Sequence, residues 1–384
     1  MKQKRNEIDK LKLLFVVPQL HGGGAERKVL EIINSLDYNK FEVDIVVWQR
    51  GRMYEKLRKG VNLYSYNYRN HKHNFAYFYE FLKIILKGFF LFRKYDLIIS
   101  WIELFPTYLS FISAFLRHKK IIGVIHIVLS DWIKIMNAYK GHWFLIPKIY
   151  NKLDRVICVS NAVKEDLIKN FKINPSKIKV IYNPVNIEYI NSLKKEEPVD
   201  FKFDENKDYI LGIGRIDQQK GFDILIKAFE ILCNVNERVE LIILGRGKDE
   251  EILKEYTKKV NIADKVHFCG FKENPFSFLY RSTIFVSSSR VEGLSSVLLE
   301  AMACGIPIIG TDIPATREIL ENGEYGIIVP VNSPEKLAKA MKRLLEDKEL
   351  QDKFRKAGYK RLLDFNKDRI VKEYEQLFIE VYKD

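Results

Sequence analysis

Only four cysteines occur in the 384 residues, and no two of them form a C-x-x-C pair. That argues against both a disulfide framework and a cysteine zinc site. Cys158, Cys233, Cys269 and Cys304 are scattered through apolar stretches, as expected of free thiols in a reducing cytoplasm. The chain also lacks G-x-G-x-x-G and a Walker lysine, which removes support from NAD(P) binding and ATP hydrolysis. No Asp-x-Asp occurs, so no carboxylate pair stands ready to hold a divalent ion against a diphosphate. Neither a metal nor a resident cofactor is expected. Met1–Lys12 is polar and charged with no apolar core, which speaks against a secretory leader. The stretch most like a membrane span, Leu97 to Leu116, carries one charge, Glu103. Its Pro106 and β-rich start read instead as a strand, a turn and a buried helix. No repeat of 20–50 residues is visible.

What is present is a composition typical of a globular protein, 47% hydrophobic and 30% charged, in which strand and helix signals alternate. Leu11–Val17 reads as an apolar strand, Pro18–Gly24 as a turn and Ala25–Leu36 as a helix. Further strands read at Val43–Trp48, Leu97–Trp101, Ile121–His126 and Val156–Ser160. A second series reads at Ile210–Gly214, Leu241–Leu244, Val266–Cys269, Ile284–Ser287, Ile308–Gly310 and Gly326–Val329. Such alternation predicts an α/β fold of parallel sheets with helices on both faces. The length supports two domains: residues 1–185, a linker over 186–207, and residues 208–365. The linker is placed by Pro184, Pro198, the charge run Lys194–Glu197 and the loss of apolar periodicity. Phe365–Tyr382 reads as a further helix.

Three motifs carry chemistry. In Glu292-Gly-Leu-Ser-Ser-Val-Leu-Leu-Glu300 two carboxylates flank a loop and the start of a buried helix. Unpaired N–H groups at such a start, here near Ser295 and Ser296, favour an anion. Eight helical steps separate the carboxylates by roughly 12 Å, whereas glycosidase pairs stand about 5–9.5 Å apart. The spacing suits one carboxylate at each end of an elongated ligand. In Tyr209-Ile-Leu-Gly-Ile-Gly-Arg-Ile-Asp-Gln-Gln-Lys-Gly221, Arg215 and Lys220 follow a strand end and precede an amphipathic helix, Phe222–Cys233. An arginine fork and a compact lysine charge suit a diphosphate there. Gly22, Gly23 and Gly24, between the first strand and its helix, permit a phosphate to approach the backbone.

Together with His126, these ordered motifs resemble the retaining glycosyltransferases of family 4, and the resemblance covers nearly the whole chain. It implies the GT-B fold, two Rossmann-like domains facing across a cleft. The N-terminal domain would bind the acceptor, and residues 366–384 would cross back to it as a helix. It further implies that Arg215 and Lys220 neutralise the nucleotide diphosphate and that Glu300 binds the ribose. Glu292 would face the donor sugar, with Gly293, Leu294, Ser295 and Ser296 around sugar and phosphate. His126 would lie near donor sugar and acceptor, and Gly22–Gly24 would approach the diphosphate from the other domain. The expected reaction is transfer of a sugar, a hexose above all, from a nucleotide-diphosphate sugar to a hydroxyl of a glycan or lipid-linked acceptor. The loop Gly22-Gly-Gly-Ala-Glu-Arg27 resembles that of enzymes building bacterial polysaccharides and lipid-linked oligosaccharides. Two alternatives remain: a nucleotide-sugar epimerase of the same architecture and a non-catalytic sugar-nucleotide-binding protein.

Charge is uneven. Residues 1–185 carry a net +17 and the remainder −3. Arg69–Lys94 interleaves cations with aromatics, a pattern that predicts peripheral docking on an anionic cytoplasmic leaflet. No nucleic-acid motif accompanies the charge, and nucleic acid is not expected as a partner.

Overall fold

The computed structural model describes residues 10–21, 23–49, 51–66, 74–198 and 200–384, with the backbone alone at 52 and 74–78. The chain divides into two compact units. The first comprises Met1–Ile133, Tyr139–Pro184 and Asp368–Asp384; the second comprises Lys134–Ala138 and Val185–Lys367.

In the first unit the strands are β1 (Leu11–Val17), β2 (Phe41–Val47), β3 (Leu63–Ser65), β4 (Leu97–Ser100), β5 (Lys120–Ile125), β6 (Arg155–Cys158) and β7 (Ile178–Val180). They form one sheet in the order β3-β2-β1-β4-β5-β6-β7, and every pairing is parallel. Five consecutive residues of β1, from Leu13 to Val17, are buried. Layers cover both faces of such a sheet, so a central strand reads as a continuous apolar run instead of alternating. The helix Lys367–Lys383 supplies part of that cover. Its Phe378 is fully buried and meets Phe15 of β1 and Phe41 of β2 edge-on, at 6.1 and 6.3 Å between ring centroids.

The second unit holds β8 (Asp208–Ile213), β9 (Val239–Leu244), β10 (Val266–Gly270), β11 (Ile284–Ser287), β12 (Ile308–Thr311) and β13 (Ile327–Val329). Their order is β10-β9-β8-β11-β12-β13, again parallel throughout. The helix Phe222–Cys233 packs its apolar face on this sheet through Leu225, Phe229 and Leu232.

Each sheet thus grows outward in both directions from its first strand. The order reverses between β1 and β4 in one unit and between β8 and β11 in the other. Such reversals open a crevice at the carboxyl ends of the two strands, where ligands bind in open α/β sheets.

Two expectations from sequence need correcting. Residues 186–207, read as a linker, lie within the second unit and carry a helix, Ile187–Leu193, capped by the Asn186 side chain. The edge strands β3 and β7 were not foreseen. Each is three residues long and only partly buried, too short for periodicity to register.

Candidate active site

In the second unit, β8 runs into Gly214 and Arg215, and β11 runs into the segment 288–293. The two loops are stitched together. Arg290 N–H donates to the Gln219 carbonyl at 2.8 Å, Gln219 Nε2 to the Val291 carbonyl at 3.1 Å, and Ser288 Oγ to the Lys220 carbonyl at 3.0 Å. Gly221 permits this approach. Its φ is +65°, and a Cβ there would lie 2.2 Å from the Ser288 carbonyl oxygen. Arg290 adds a fork onto Asp223, at 2.9 and 2.7 Å.

Inside this frame the Lys220 ammonium pairs with Oε1 of Glu292, which also accepts from Ser289 Oγ at 2.8 Å. Both side chains are largely buried, Lys220 17% and Glu292 10% exposed. The aliphatic stem of Lys220 lies against Gly214, where a Cβ would meet it at 3.2 Å. Arg215 behaves differently. Its side chain is 69% exposed and, among the described residues, is steadied by Gln219 Oε1 at 3.1 Å and by Asp217. Gly293, Leu294 and Ser295 are buried, and Ser295 caps the helix Ser296–Cys304 without a side-chain hydrogen bond. The Ser295 side chain therefore leaves the N–H groups of that first turn uncapped. Glu300 stands four residues beyond Ser296, roughly 6 Å along the helix, partly buried. Arg215, Lys220, Glu292 and the helix start thus gather where the second sheet reverses.

The first unit places Gly23, Gly24 and His126 around its own reversal. Gly22 lies outside the described residues. Gly23 donates its N–H to Glu26 Oε2 at 3.2 Å, so one amide expected to meet a phosphate is engaged locally. The helix Gly24–Ser35 follows directly. Trp101, immediately after β4, is fully buried and donates from Nε1 to the Ala25 carbonyl at 2.8 Å. Its ring packs against that of His126 with centroids 5.1 Å apart. Trp101 therefore links the first turn of that helix to the histidine. The His126 backbone N–H donates to Glu103 Oε2 at 3.1 Å.

Glu103 and His126 keep partial solvent contact, yet protein atoms crowd both charged ends. Burial raises the Glu103 carboxyl to about 7, against the pull of N–H donors from its own backbone and from His126. Burial lowers His126 to about 4, against a hydrogen bond to the Trp101 backbone. No motif singled out Glu103, Trp101, Gln219 or Ser289. Their one signal is position: each stands within six residues of a strand end at a sheet reversal. Among the described residues, no group of three or more His, Cys, Asp or Glu is placed to hold a metal ion.

Two family models divide the chain: "Glycosyltransferase Family 4" matches residues 22–189, and "Glycosyl transferases group 1" matches residues 194–361. An uncharacterized glycosyltransferase of Methanocaldococcus jannaschii is 31% identical over 298 residues, covering 74% of this chain and 75% of its own. The chain belongs to the glycosyltransferases. A Campylobacter jejuni relative aligns over 94% of this glycosyltransferase and 98% of itself at 27% identity. It is named as an N-acetylgalactosamine-N,N'-diacetylbacillosaminyl-diphospho-undecaprenol 4-alpha-N-acetylgalactosaminyltransferase. Among solved structures, Anabaena HepE in complex with UDP and glucose superposes with a TM-score of 0.80 at 18% identity, covering 96% of this chain and 99% of its own. Sucrose-phosphate synthase from Thermosynechococcus elongatus reaches 0.80 at 17%, covering 97% and 100%. The two parallel-sheet Rossmann-like halves of this glycosyltransferase are those of the GT-B fold.

Proposed function

We propose that this glycosyltransferase moves a hexose from a nucleotide-diphosphate sugar to a hydroxyl of a lipid-linked glycan, with retention at the anomeric carbon. The observation that carries the donor assignment is the convergence of Arg215, Lys220, Glu292 and an uncapped helix start where the second sheet reverses. Negative charge builds on the departing diphosphate in the transition state. Preorganised donors aimed at it lower the barrier. Arg215, exposed and lightly held, swings to the phosphates as a fork. Lys220 divides its charge between Glu292 and the diphosphate, while Ser289 keeps the carboxylate aimed at the sugar. Glu300 takes the ribose, and His126 helps place sugar and acceptor.

The lipid-linked acceptor rests on the names of relatives. Besides the relative above, a second Campylobacter jejuni protein, 25% identical over 97% of this chain and 99% of its own, is named for a transfer onto a PP-undecaprenol-linked glycan. UDP-sugars are the first donors to try, given the UDP in the HepE complex. A panel of nucleotide sugars in a thermal-shift assay tests the donor. A true donor at 100 times its dissociation constant adds about 2.7 kcal/mol. NMR of the transferred product then reads the anomeric configuration. Transfer survives EDTA, because the sequence offers no Asp-x-Asp and cations can hold the diphosphate. Loss with EDTA that magnesium or manganese restores would contradict this. An altered free donor without acceptor would favour an epimerase.

A membrane surface is the second proposed partner. The patch Arg69–Lys94 lies partly outside the described residues, up to His73. On the helix Asn74–Phe92, Lys83 is held by Glu80 and Lys87 by the Tyr66 carbonyl. Tyr79, Leu82, Leu86 and Phe90, one helical stripe, are exposed. The neighbouring helix Phe105–Leu116, joined through the stacked pair Phe81–Phe105, exposes Ile112, Phe115 and Leu116. Apolar side chains inserting into an anionic interface, with lysines around them, fit this surface. No helix among the described residues is long and apolar enough to cross a membrane. Vesicle co-sedimentation is expected to require anionic lipid and to weaken as the Debye length falls from ~10 Å at 0.1 M salt to ~3 Å at 1 M. Changing Lys72, Lys83, Lys87 and Lys94 together to Glu abolishes it and leaves donor affinity intact. A protein that ignores anionic vesicles at low salt has no such surface.

A further inference from the structure

We propose that Glu103 is a positioning residue for His126, holding its backbone so that the imidazole Nε2 lone pair receives a sugar hydroxyl. The proposal rests on the placement of His126 in the transfer site and extends it.

The geometry begins with the loop between β4 and the helix Phe105–Leu116. Trp101 N–H donates to the Val16 carbonyl at 3.0 Å, and Thr107 Oγ1 donates to the Ile102 carbonyl at 2.8 Å. Leu104 then takes φ 64° and ψ −127°, a region that residues with a Cβ avoid. The Tyr150 hydroxyl accepts its N–H at 3.0 Å. A backbone held in so unfavourable a conformation is over-determined by its surroundings, and such residues cluster at functional sites. What this clamp fixes is the Glu103 carboxyl against the His126 N–H.

The imidazole is fixed as well. Its Nε2 is buried and has no hydrogen-bond partner among the described residues, and the ring lies close enough to the Trp101 backbone to feel its carbonyl. A nitrogen bonded to a carbonyl must donate. With the proton on Nδ1, toward that carbonyl, Nε2 keeps a bare lone pair. A buried acceptor left unpaired costs free energy, and a hydroxyl donor satisfies it. Sugars supply hydroxyls in quantity. With its ordinary basicity suppressed, the ring stays neutral at pH 7 and remains an acceptor. Glu103 ionises near neutrality, and no charged side chain contributes to its shift. Tyr150, from the helix packed against it, is the titratable group that senses it. Charge on the carboxyl strengthens its grip on the His126 N–H.

The test compares three single variants and one double, all checked by circular dichroism and donor thermal shift. Glu103→Ala lowers kcat/KM about tenfold to a hundredfold, the usual range for losing a charged hydrogen-bond partner. Glu103→Gln still offers an oxygen to the His126 N–H, so it stays within a few-fold of wild type. It also loses the wild-type inflection near pH 7, above which kcat/KM is higher. The double variant Glu103→Ala/His126→Ala is no worse than His126→Ala alone, because the glutamate acts through the histidine. Independently of turnover, 15N NMR of histidine-labelled protein shows the His126 proton on Nδ1 from pH 5.5 to 8 and a disturbed resonance in Glu103→Ala. That reading stands even if no donor is found, which separates failure of this proposal from failure of the transfer assignment. Glu103→Ala with unchanged kcat/KM and pH profile would overturn it. So would Glu103→Gln as impaired as Glu103→Ala at every pH, additive losses in the double variant, or a proton on Nε2.

Discussion

Lys220→Ala is expected to lower turnover roughly 10²–10³-fold, the loss typical of one charge-stabilising donor, and to destabilise the fold as well. Lys220 is the ammonium partner of Glu292, and both are largely withdrawn from water. Removing one partner leaves a carboxylate desolvated and unmatched apart from Ser289. Losing one side of a buried pair costs about 3–5 kcal/mol, and residual exposure places this one near the lower end. Arg215→Ala should cost turnover to a similar degree while leaving stability within about 0.5 kcal/mol, as for surface substitutions, because its side chain is 69% exposed. Steady-state kinetics and urea denaturation on the same preparations separate the two effects. The double variant Lys220→Ala/Glu292→Ala recovers part of the stability and none of the activity. Near-wild-type turnover in both single variants would remove these cations from the site.

Phe378→Ala carries the largest effect expected on stability alone. The ring is fully buried between Phe15 and Phe41, and Tyr374 closes on it at 5.9 Å. Truncating a buried phenylalanine costs about 3–5 kcal/mol through lost transfer energy and the cavity left behind. The helix that bears it has polar anchors too: Glu375 accepts the Asp37 N–H at 2.7 Å, and Asp384 pairs with Arg155 at 2.8 Å. The Asp384–Arg155 pair is exposed and contributes little by comparison. Tyr382→Ala, at an exposed position of the same helix, is the control and should be nearly neutral. A loss below about 1 kcal/mol for Phe378→Ala would mean that the helix is not part of the first unit's core.

Much of the architecture was legible because it is written in local periodicity. The helix Phe222–Cys233 lies where its apolar spacing put it, and Leu97–Leu116 resolves into β4, a turn and a helix, as Pro106 implied. The start of the helix after Ser295 followed from a serine pair before an apolar run. Other features were illegible for equally physical reasons. Glu103 is a lone carboxylate in an apolar stretch, and nothing nearby in the chain indicates that it faces His126, 23 residues on. The Gly23 amide, read as open to a phosphate, is taken by Glu26 three residues later. The lysines of the basic patch were counted as free charge. The fold engages two of them with Glu80 and a backbone carbonyl, and an apolar stripe stands exposed on the same helix.

The sequence by itself determined that this protein is built from two parallel α/β halves, and it put a cationic pair and a carboxylate-flanked helix start after strands of the second half. Those properties rest on short-range spacing, which a chain carries before it folds. Only the tertiary structure decided that Lys220 is bound to Glu292 across 72 residues, that Trp101 links the first turn of the helix Gly24–Ser35 to His126, and that Glu103 accepts the backbone N–H of that histidine. Each of these contacts forms where strands distant in sequence become neighbours at a sheet reversal. Strand order is set by how the whole apolar surface is buried, and no local pattern encodes it.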